Sequence, residues 1–361
     1  MAESPLGPRA LYNARPAVRI NGAEKERVTG LLTGIEMIEH EDGLSTLELR
    51  LNNIASDAGG RSDYAFEDEA SFTLGDTVAV YCGEAGTPTE IFRGIVSALE
   101  ADFSEDGSPV LTALAEDPLQ KARLKRRTRT YDNQSIADIA RTIATDLGLS
   151  PQISGFTTPI GTQVQLNESD LAFLRRLLAR YDGDVQVVGT ELHVSPRPDV
   201  RRGVVELAMR SQLRRVTMLA DLAHQVSEVT VTGWDPARGQ RINSRSSGVQ
   251  QGPGSGRGGG DLLTQALGRR THQIGHLAVS TDDEARALAD AAYGERQRRF
   301  VTAVGTAEGN PTIRTGTHVR LTGLSPRFNN TYYVTRCVHR YDLERGYETD
   351  FTAESGFLGQ P

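Results

Sequence analysis

The chain has 361 residues, a formal net charge of −7, 37 glycines and 38% hydrophobic residues. This length predicts two or three domains, and the glycine content favours a β-rich protein with many turns over a helix bundle. The acidic balance argues against a dedicated DNA-binding protein, and no apolar run reaches the roughly 18 residues of a membrane-spanning helix.

The first hundred residues predict a small antiparallel barrel or sandwich. Residues 1–16 lack the charged-then-apolar pattern of a signal peptide, so we expect synthesis in the cytoplasm. After a strand at residues 17–20, Asn21-Gly22 is a strong hairpin signal because both residues accept positive φ. Further strands are predicted at residues 46–51, 77–82, 91–99 and 110–115.

The pattern changes after residue 118, where helices enter. Ser135 and Asp138 form a capping-box pattern that predicts a helix to Leu147. A second helix is predicted to begin at residues 167–170. Two strands follow at 185–188 and 191–195, and Gly189-Thr190 between them fits a type II′ turn. These elements predict an α/β insert.

Strand character returns at residues 226–232. Residues 244–261, SRSSGVQQGPGSGRGGGD, are poor in apolar side chains and predict a flexible loop. A third helix is predicted to begin at Thr281, with Glu284 three residues later. The chain then alternates β-rich runs with polar turns, with strands predicted at residues 331–339 and 347–352.

No segment carries a complete catalytic or cofactor signature, and we predict no catalytic, cofactor-binding or metal-binding residue. Gly252–Gly260 lacks the Lys and the hydroxyl of a phosphate-binding loop. His272 and His276 have the spacing of ligands on a helix, but the His-Glu-x-x-His pattern is absent, so two surface histidines are favoured. Cys82 and Cys337 are interpreted as buried free thiols.

Charged clusters are predicted to be ordinary surface. A paired-carboxylate site could hide among several acidic residues, but a solvated acidic loop explains them more simply; they are Asp57, Asp63, Glu67, Asp68 and Glu69. The basic run from Lys121 to Arg129 lacks interleaved aromatics for base stacking, so a linker or a protein contact is favoured over nucleic acid. Trp234, the only tryptophan, is interpreted as a packing or interface anchor, and His339 as a structural histidine.

Four pieces in a fixed order resemble the hub proteins of contractile tails, the phage late control D family and the hub half of VgrG proteins. They are the capped helix ending at Leu147, an Asn-Glu-Ser-Asp helix start, a Val-Thr-Gly-Trp-Asp-Pro turn and a Tyr-Val-x-x-x-Val-His strand. The residues that carry the match are Asn167, Glu168, Ser169, Asp170, Phe173, Leu174, Leu177, Val229–Pro236, Gly323, Tyr333, Val334, Val338, His339 and Tyr347.

The resemblance implies a mainly β fold with an α+β insert: two small antiparallel, tube-like β-barrels and an α/β insert between them. The implied domains are residues 1–118, 119–215 and 216–361. The implied function is that of a non-enzymatic baseplate hub, a homotrimer in which six barrels match a hexameric inner tube on one side and a trimeric spike on the other. The implied partners are the inner tube protein, a separate spike protein, baseplate wedge proteins, and a tape measure or lumen cargo, with no sequence-specific nucleic acid and no cofactor.

Other interpretations stay open at this point. The chain could instead be a tail-tip cell-wall glycan hydrolase or a carbohydrate-binding β protein. Nothing after Thr352 encodes a spike, which favours a hub with a separate spike and disfavours a type VI secretion protein. We expect the protein to be part of an assembled phage tail or extracellular injection particle.

Overall fold

The computed structural model describes residues 15–359 except 42, 57–61, 68–70, 85, 249–251, 276 and 278. Within these residues the helices are α1 (Glu26–Leu31), α2 (Gln120–Leu124), α3 (Ile136–Leu147), α4 (Asp170–Arg180), α5 (Gly259–Leu267) and α6 (Asp282–Arg298), with a 3₁₀ turn at Arg197–Asp199. The strands up to the end of the insert are β1 (Ala17–Ile20), β2 (Ala23–Glu24), β3 (Leu32–His40), β4 (Thr46–Asn52), β5 (Ile54–Ser56), β6 (Ser62–Tyr64), β7 (Thr77–Cys82), β8 (Thr89–Asp102), β9 (Val110–Glu116), β10 (Arg126–Tyr131), β11 (Ser150–Ile153), β12 (Gln163–Ser169), β13 (Gly183–Val188) and β14 (Glu191–Pro196). The remaining strands are β15 (Val204–Ala208), β16 (Leu213–Ala220), β17 (Glu228–Asp235), β18 (Gln240–Ser246), β19 (Arg257–Gly258), β20 (Thr271–Ile274), β21 (Val301–Glu308), β22 (His318–Thr322), β23 (Asn330–Asp342), β24 (Gly346–Ser355) and β25 (Phe357–Leu358).

One 13-stranded sheet runs through the molecule and joins two halves. The first half follows the order β1-β7-β8-β9-β4-β3, with the two-residue β2 beside β1, and the second follows β15-β22-β23-β24-β21-β16. Strands β3 and β23 connect the halves as an antiparallel pair in which His40 lies opposite Arg336 and Gly34 opposite Asp342.

The long strand β23 makes this junction possible. Its first residues pair with β22, up to Tyr333, and its last residues pair with β3, from Arg336 onward. A register shift between Val334 and Arg336 marks the change of neighbour. Such bulges bend a strand and increase its twist, so β23 can serve the second half at one end and the first half at the other.

The two halves share one strand order. If the six strands of each half are numbered along the chain, both halves read 1-4-5-6-3-2. Every pairing in each half is antiparallel with one exception, because β15 runs parallel to β22 whereas β1 runs antiparallel to β7. The sequence suggested two similar halves only through a family resemblance, and the strand order now displays the repeat directly.

Alternation along the strands builds the cores of both halves. Leu47, Leu49 and Leu51 of β4 are buried while their neighbours are more exposed, as the two-residue period of a strand requires. The second half buries Phe351 and Ala353 of β24 in the same way.

The insert packs two helices against a three-stranded sheet of β11, β14 and β13. Helix α3 begins with the predicted capping box: the Ser135 side chain accepts from the Asp138 amide, and Asp138 accepts from the Ser135 amide. Phe173 of α4 is fully buried and stacks on Tyr131, with ring centroids 5.2 Å apart. Gly189 has φ of 60° between β13 and β14, as the predicted type II′ turn needs.

A further α/β unit interrupts the second half. Strands β18, β17 and β20 form a sheet, and α6 packs on one of its faces. Val229, Val231 and Leu288 belong to the core between sheet and helix. The opposite face of the sheet is open to solvent and carries Trp234.

The predicted fold class, mainly β with an α+β insert, is confirmed. The ladders of the two halves form one continuous 13-stranded sheet, and none of the sheets within the described residues closes into a barrel. The domain boundaries at residues 118 and 215 stay a prediction. The second helix begins at Asp170, the last residue of the predicted start at 167–170, because Asn167 lies in β12 with φ of 49° and Ser169 is the N-cap.

The prediction of a flexible loop at residues 244–261 is wrong for most of its described part. Residues 244–246 belong to β18, 257–258 to β19 and 259–261 to α5, while 249–251 lie outside the described residues. Asn330 bonds both the amide and the carbonyl of Ser255, at 3.0 and 2.9 Å. At Gly256, φ of 128°, a Cβ would lie 2.2 Å from the Leu358 carbonyl. Glycine here permits close backbone packing, which low apolar content concealed.

Candidate functional site

A group of buried arginines and carboxylates lies where the two halves meet the insert. We call it the arginine seam and define it as Glu39, Glu41, Asp182, Asp184, Arg197, Arg202, Arg298, Arg314 and Glu354. Its members come from β3 and the turn after it, the insert, the end of α6, the loop between β21 and β22, and β24.

Glu39 is the most fully paired carboxylate of the arginine seam. Arg314 donates to it through Nη2 at 2.6 Å and Nε at 3.0 Å. The backbone amide of Thr315 donates to it at 2.8 Å, and the side-chain amide of Gln186 at 2.7 Å. Burial raises the pKa of Glu39, but Arg314, the Thr315 amide and Arg202 outweigh it and hold this pKa below its ordinary value. One charged side chain therefore ties β3 to the insert and to the second half.

Glu354 joins two further arginines. Arg197 donates to it at 2.7 Å and also pairs with Glu41, while Arg298 approaches it at 3.4 Å. The Arg197 guanidinium lies 3.2 Å from the centroid of the Tyr333 ring. Burial raises the pKa of Glu354, although both arginines oppose the rise.

Asp182 and Asp184 bring the insert into the seam from one strand end. Asp182 accepts two bonds from Arg298, both at 2.6 Å, in the bidentate geometry that makes arginine–carboxylate pairs strong. Asp184 pairs with Arg202, which also donates to the Thr315 carbonyl at 3.0 Å. Burial raises the pKa of Asp184 to about 6, despite the opposing charge of Arg202.

The ion pairs of the arginine seam can stabilise the arrangement of the parts that they join. Breaking a buried pair leaves an unpaired charge in a low-dielectric site, which typically costs about 3–5 kcal/mol. An arrangement of this kind penalises any relative movement of the three parts that would separate its charges. It therefore fixes the insert against the junction of the halves.

A cleft of about 760 Å³ opens beside the arginine seam, between the end of α4, helix α6 and β20. The cations of its lining are engaged within the chain: Arg180 with Glu284 at 3.2 Å, Arg296 with His272 at 2.9 Å, and Arg299 with Glu295 at 3.0 Å. Across the whole lining four arginines stand beside four carboxylates, so the cleft has no clear preference for an ionic ligand.

His339 is fully buried in the second half. The Tyr347 hydroxyl lies 2.7 Å from its Nδ1, and Cys337 Sγ lies 3.4 Å from its Nε2. Burial, with a smaller effect of Arg314, lowers the pKa of His339 to about 3, so the ring is neutral near pH 7. This environment fits the predicted structural role, and Cys337 is a buried free thiol, as predicted, like Cys82.

The histidines and acids that the sequence placed side by side are only partly among the described residues. His272 lies in β20 and not on a helix, and His276 lies outside the described residues. Asp63 and Glu67 are exposed, while Asp57, Asp68 and Glu69 lie outside the described residues. No group of three or more potential metal ligands occurs in the part of the chain that the structure describes. The prediction of no catalytic, cofactor or metal residue stays a prediction.

The basic run is largely paired within the chain. Arg127 bonds Asp146 at 2.8 Å and approaches Asp170 at 3.3 Å, and Arg129 bonds Asp146 at 3.2 Å. These contacts join β10 to α3 and α4 within the insert, and the preference for a linker or a protein contact over nucleic acid stays a prediction. Trp234 is 56% exposed, which leaves it at the surface rather than in a core.

We did not predict the arginine seam from the sequence. One signal was available in β3, where Ile35, Met37 and Glu39 share the buried face. A charged residue on the inward face of a strand needs a partner. Its partner Arg314, however, lies 275 residues away, and no local pattern announces that pairing.

A family model described as the Alg8 N-terminal domain matches residues 17–342. No curated protein sequence matches the chain. None of the helices within the described residues is long and apolar enough to cross a membrane.

Solved structures similar to the chain are tail proteins and secretion components. The 43 kDa tail protein of prophage MuSo2 from Shewanella oneidensis has a TM-score of 0.67 and 13% identity, covering 94% of this chain and 97% of that one. A tail protein from Neisseria meningitidis has a TM-score of 0.64 and 13% identity, covering 95% and 96%. An E. coli component of the type VI secretion system, described as similar to the T4 tail proteins gp27 and gp5, has a TM-score of 0.60 and 12% identity, covering 95% and 79%. At these identities the likeness shows the fold.

Proposed function

The chain belongs to the family described as the Alg8 N-terminal domain, and we propose that it is a structural hub at the baseplate of a contractile injection system. In this proposal three copies form a ring that joins a hexameric inner tube to a trimeric spike. The fold that it shares with tail proteins supports this class of function.

The repeated strand order carries the proposal. Each chain contains two halves with the same order of six strands. Three chains would therefore present six similar units around one axis, which matches a sixfold tube above while the ring itself stays threefold. Such rings close through heterologous contacts between neighbouring copies. We propose the domains 1–118, 119–215 and 216–361 as the corresponding units.

The arginine seam supports the proposal that the junction holds the two halves at a fixed angle. A symmetry adaptor needs its two halves at a fixed angle, because six units match a tube only if both halves of each chain are equivalently placed. Glu39 and Glu354 hold the halves and the insert together through Arg314, Arg197 and Arg298. A structural role is sufficient to explain why so many charged side chains are buried here, and no catalysed reaction is needed to explain them.

The test is reconstitution with the inner tube protein. The purified chain is mixed with preformed tube rings and imaged by negative-stain electron microscopy, with the mass measured in parallel. We expect particles with three copies of the chain capping one end of the tube. A chain that fails to bind tube rings and instead releases soluble fragments from purified peptidoglycan would overturn the proposal in favour of a hydrolase.

A further inference from the structure

The exposed face of the β17–β18–β20 sheet carries a single tryptophan with two arginines and one glutamate, Glu228. We call it the tryptophan face. Trp234 lies opposite Arg241 and Thr230 opposite Arg245 in the antiparallel ladder, so these four side chains share one side. Gln273 continues the row from Thr230 onto β20.

The tryptophan face has the composition of a contact surface. Trp234 is 56% exposed, and both Arg241 and Arg245 are exposed. Neither arginine is in an ion pair with any residue that the structure describes. Helix α6 covers the other side of the sheet, so the tryptophan face is firmly supported. Exposed tryptophan and arginine together are the residues most enriched at the centres of protein interfaces.

A surface of opposite character projects from the first half. We call it the acidic hairpin and define it as residues 99–110, the outer part of β8 with the turn into β9. Glu100, Asp102, Glu105 and Asp106 are all exposed, and residues 94–120 contain no lysine or arginine. None of these four carboxylates is in an ion pair within the described residues.

The acidic hairpin also presents an aromatic pair. Phe103 is 60% exposed, and its ring meets that of Tyr64, 45% exposed, edge to face with centroids 5.8 Å apart. The two surfaces thus match in two ways: four negative charges against two arginines, and an aromatic pair against a tryptophan.

We propose that the acidic hairpin of one copy docks on the tryptophan face of a second copy. The arginines and the four carboxylates of these surfaces are in no ion pair with any residue that the structure describes, so the complementarity is not used there. Because the two surfaces differ and lie on different parts of the chain, the contact is heterologous and can repeat around a ring. This inference rests on the proposed function, to which it adds the residues of the contact between copies.

The test uses charge reversal and restoration. The variant Arg241→Glu/Arg245→Glu makes the tryptophan face acidic, and Glu105→Lys/Asp106→Lys makes the acidic hairpin basic. A fourfold variant carries both reversals. The control, Arg286→Glu/Arg345→Glu, makes the same change of charge as Arg241→Glu/Arg245→Glu, but at exposed residues outside both surfaces. Self-association is measured by sedimentation velocity at low ionic strength and again at about 0.5 M NaCl, where surface charges are screened.

We expect each double reversal to weaken self-association at least about tenfold, since like charges now face each other across the contact. The fourfold variant should regain most of the lost affinity, and the control should behave as wild type. Wild-type association should also weaken in high salt.

Three results would overturn the inference. One is a ring that forms equally well with Arg241→Glu/Arg245→Glu, which would leave the proposed hub intact and this contact wrong. Another is a fourfold variant that stays as weak as the double reversals. The last is a wild-type chain that remains monomeric while the same arginine variant loses binding to heparin or to single-stranded DNA, which would assign the tryptophan face to that polymer. The proposed hub function is tested independently, by the binding of the chain to preformed tube rings.

Discussion

Replacing Arg314 by methionine should destabilise the protein far more than its single lost charge would suggest. Glu39 is 1% exposed and accepts four hydrogen bonds, two of them from Arg314. In Arg314→Met those two bonds vanish, and the carboxylate stays buried with only the Thr315 amide and Gln186 as direct donors. Removing one partner of a buried ion pair costs about 3–5 kcal/mol in free energy of unfolding.

The double variant Glu39→Gln/Arg314→Met separates this penalty from ordinary loss of packing. A neutral amide at position 39 keeps one oxygen that can accept from the Thr315 amide, its NH2 group can donate to the Gln186 side-chain oxygen once that amide turns over, and no charge is left unpaired. Replacing both members of a buried pair by neutral groups is often close to neutral, so we expect the double variant to be more stable than Arg314→Met alone.

Urea unfolding followed by far-ultraviolet circular dichroism measures these free energies. Arg50→Met provides the control, because the Arg50–Glu48 pair at 2.6 Å is largely exposed and such pairs contribute at most about 1 kcal/mol. Two results would show that the arginine seam does not stabilise the fold through buried ion pairs. One is an Arg314→Met variant no less stable than Arg50→Met, and the other is a double variant less stable than Arg314→Met.

Three other predictions concern single positions. Burial lowers the pKa of His339 to about 3 in the folded protein, against an ordinary 6.5. As the pH falls between these values the unfolded chain binds a proton that the folded protein does not, so the free energy of unfolding decreases. His339→Gln should reduce this pH dependence by up to about 1.4 kcal/mol per pH unit, measured by urea unfolding at several pH values. In Gly94→Ala the new Cβ would meet the Glu116 carbonyl at 2.3 Å, so we expect a clear loss of thermal stability, and an unchanged melting temperature would contradict this. Asn330→Ala removes the bonds to Ser255 and should speed proteolytic cleavage within residues 252–258, measured by gel analysis of limited digests, whereas an unchanged rate would mean that packing alone holds the segment.

Elements whose signals lie within a few residues were predictable from the sequence. The Asn21-Gly22 turn forms with φ of 51° and 79°, and Ser135 caps α3, because turn and cap geometry depend on adjacent residues alone. Strands β1, β4, β7, β8 and β9 of the first half were predicted from short β-rich runs, whose alternation of side chains likewise needs no knowledge of the partner strand, whereas β3 was not predicted.

The tertiary structure decided which distant segments meet. Nothing local in β3 indicates that it pairs with β23, about three hundred residues later, since the alternation that defines a strand is silent about its neighbour. The same holds for the arginine seam, where Glu39 and Arg314 look like ordinary charged residues until the fold buries them together. Residues 252–258 show the reverse error: their composition predicted a loose loop, but Asn330 and β25 supply from afar the contacts that hold them. The composition of a segment indicates only how much apolar surface its own side chains can bury. The contacts that distant segments make with it depend on the tertiary structure.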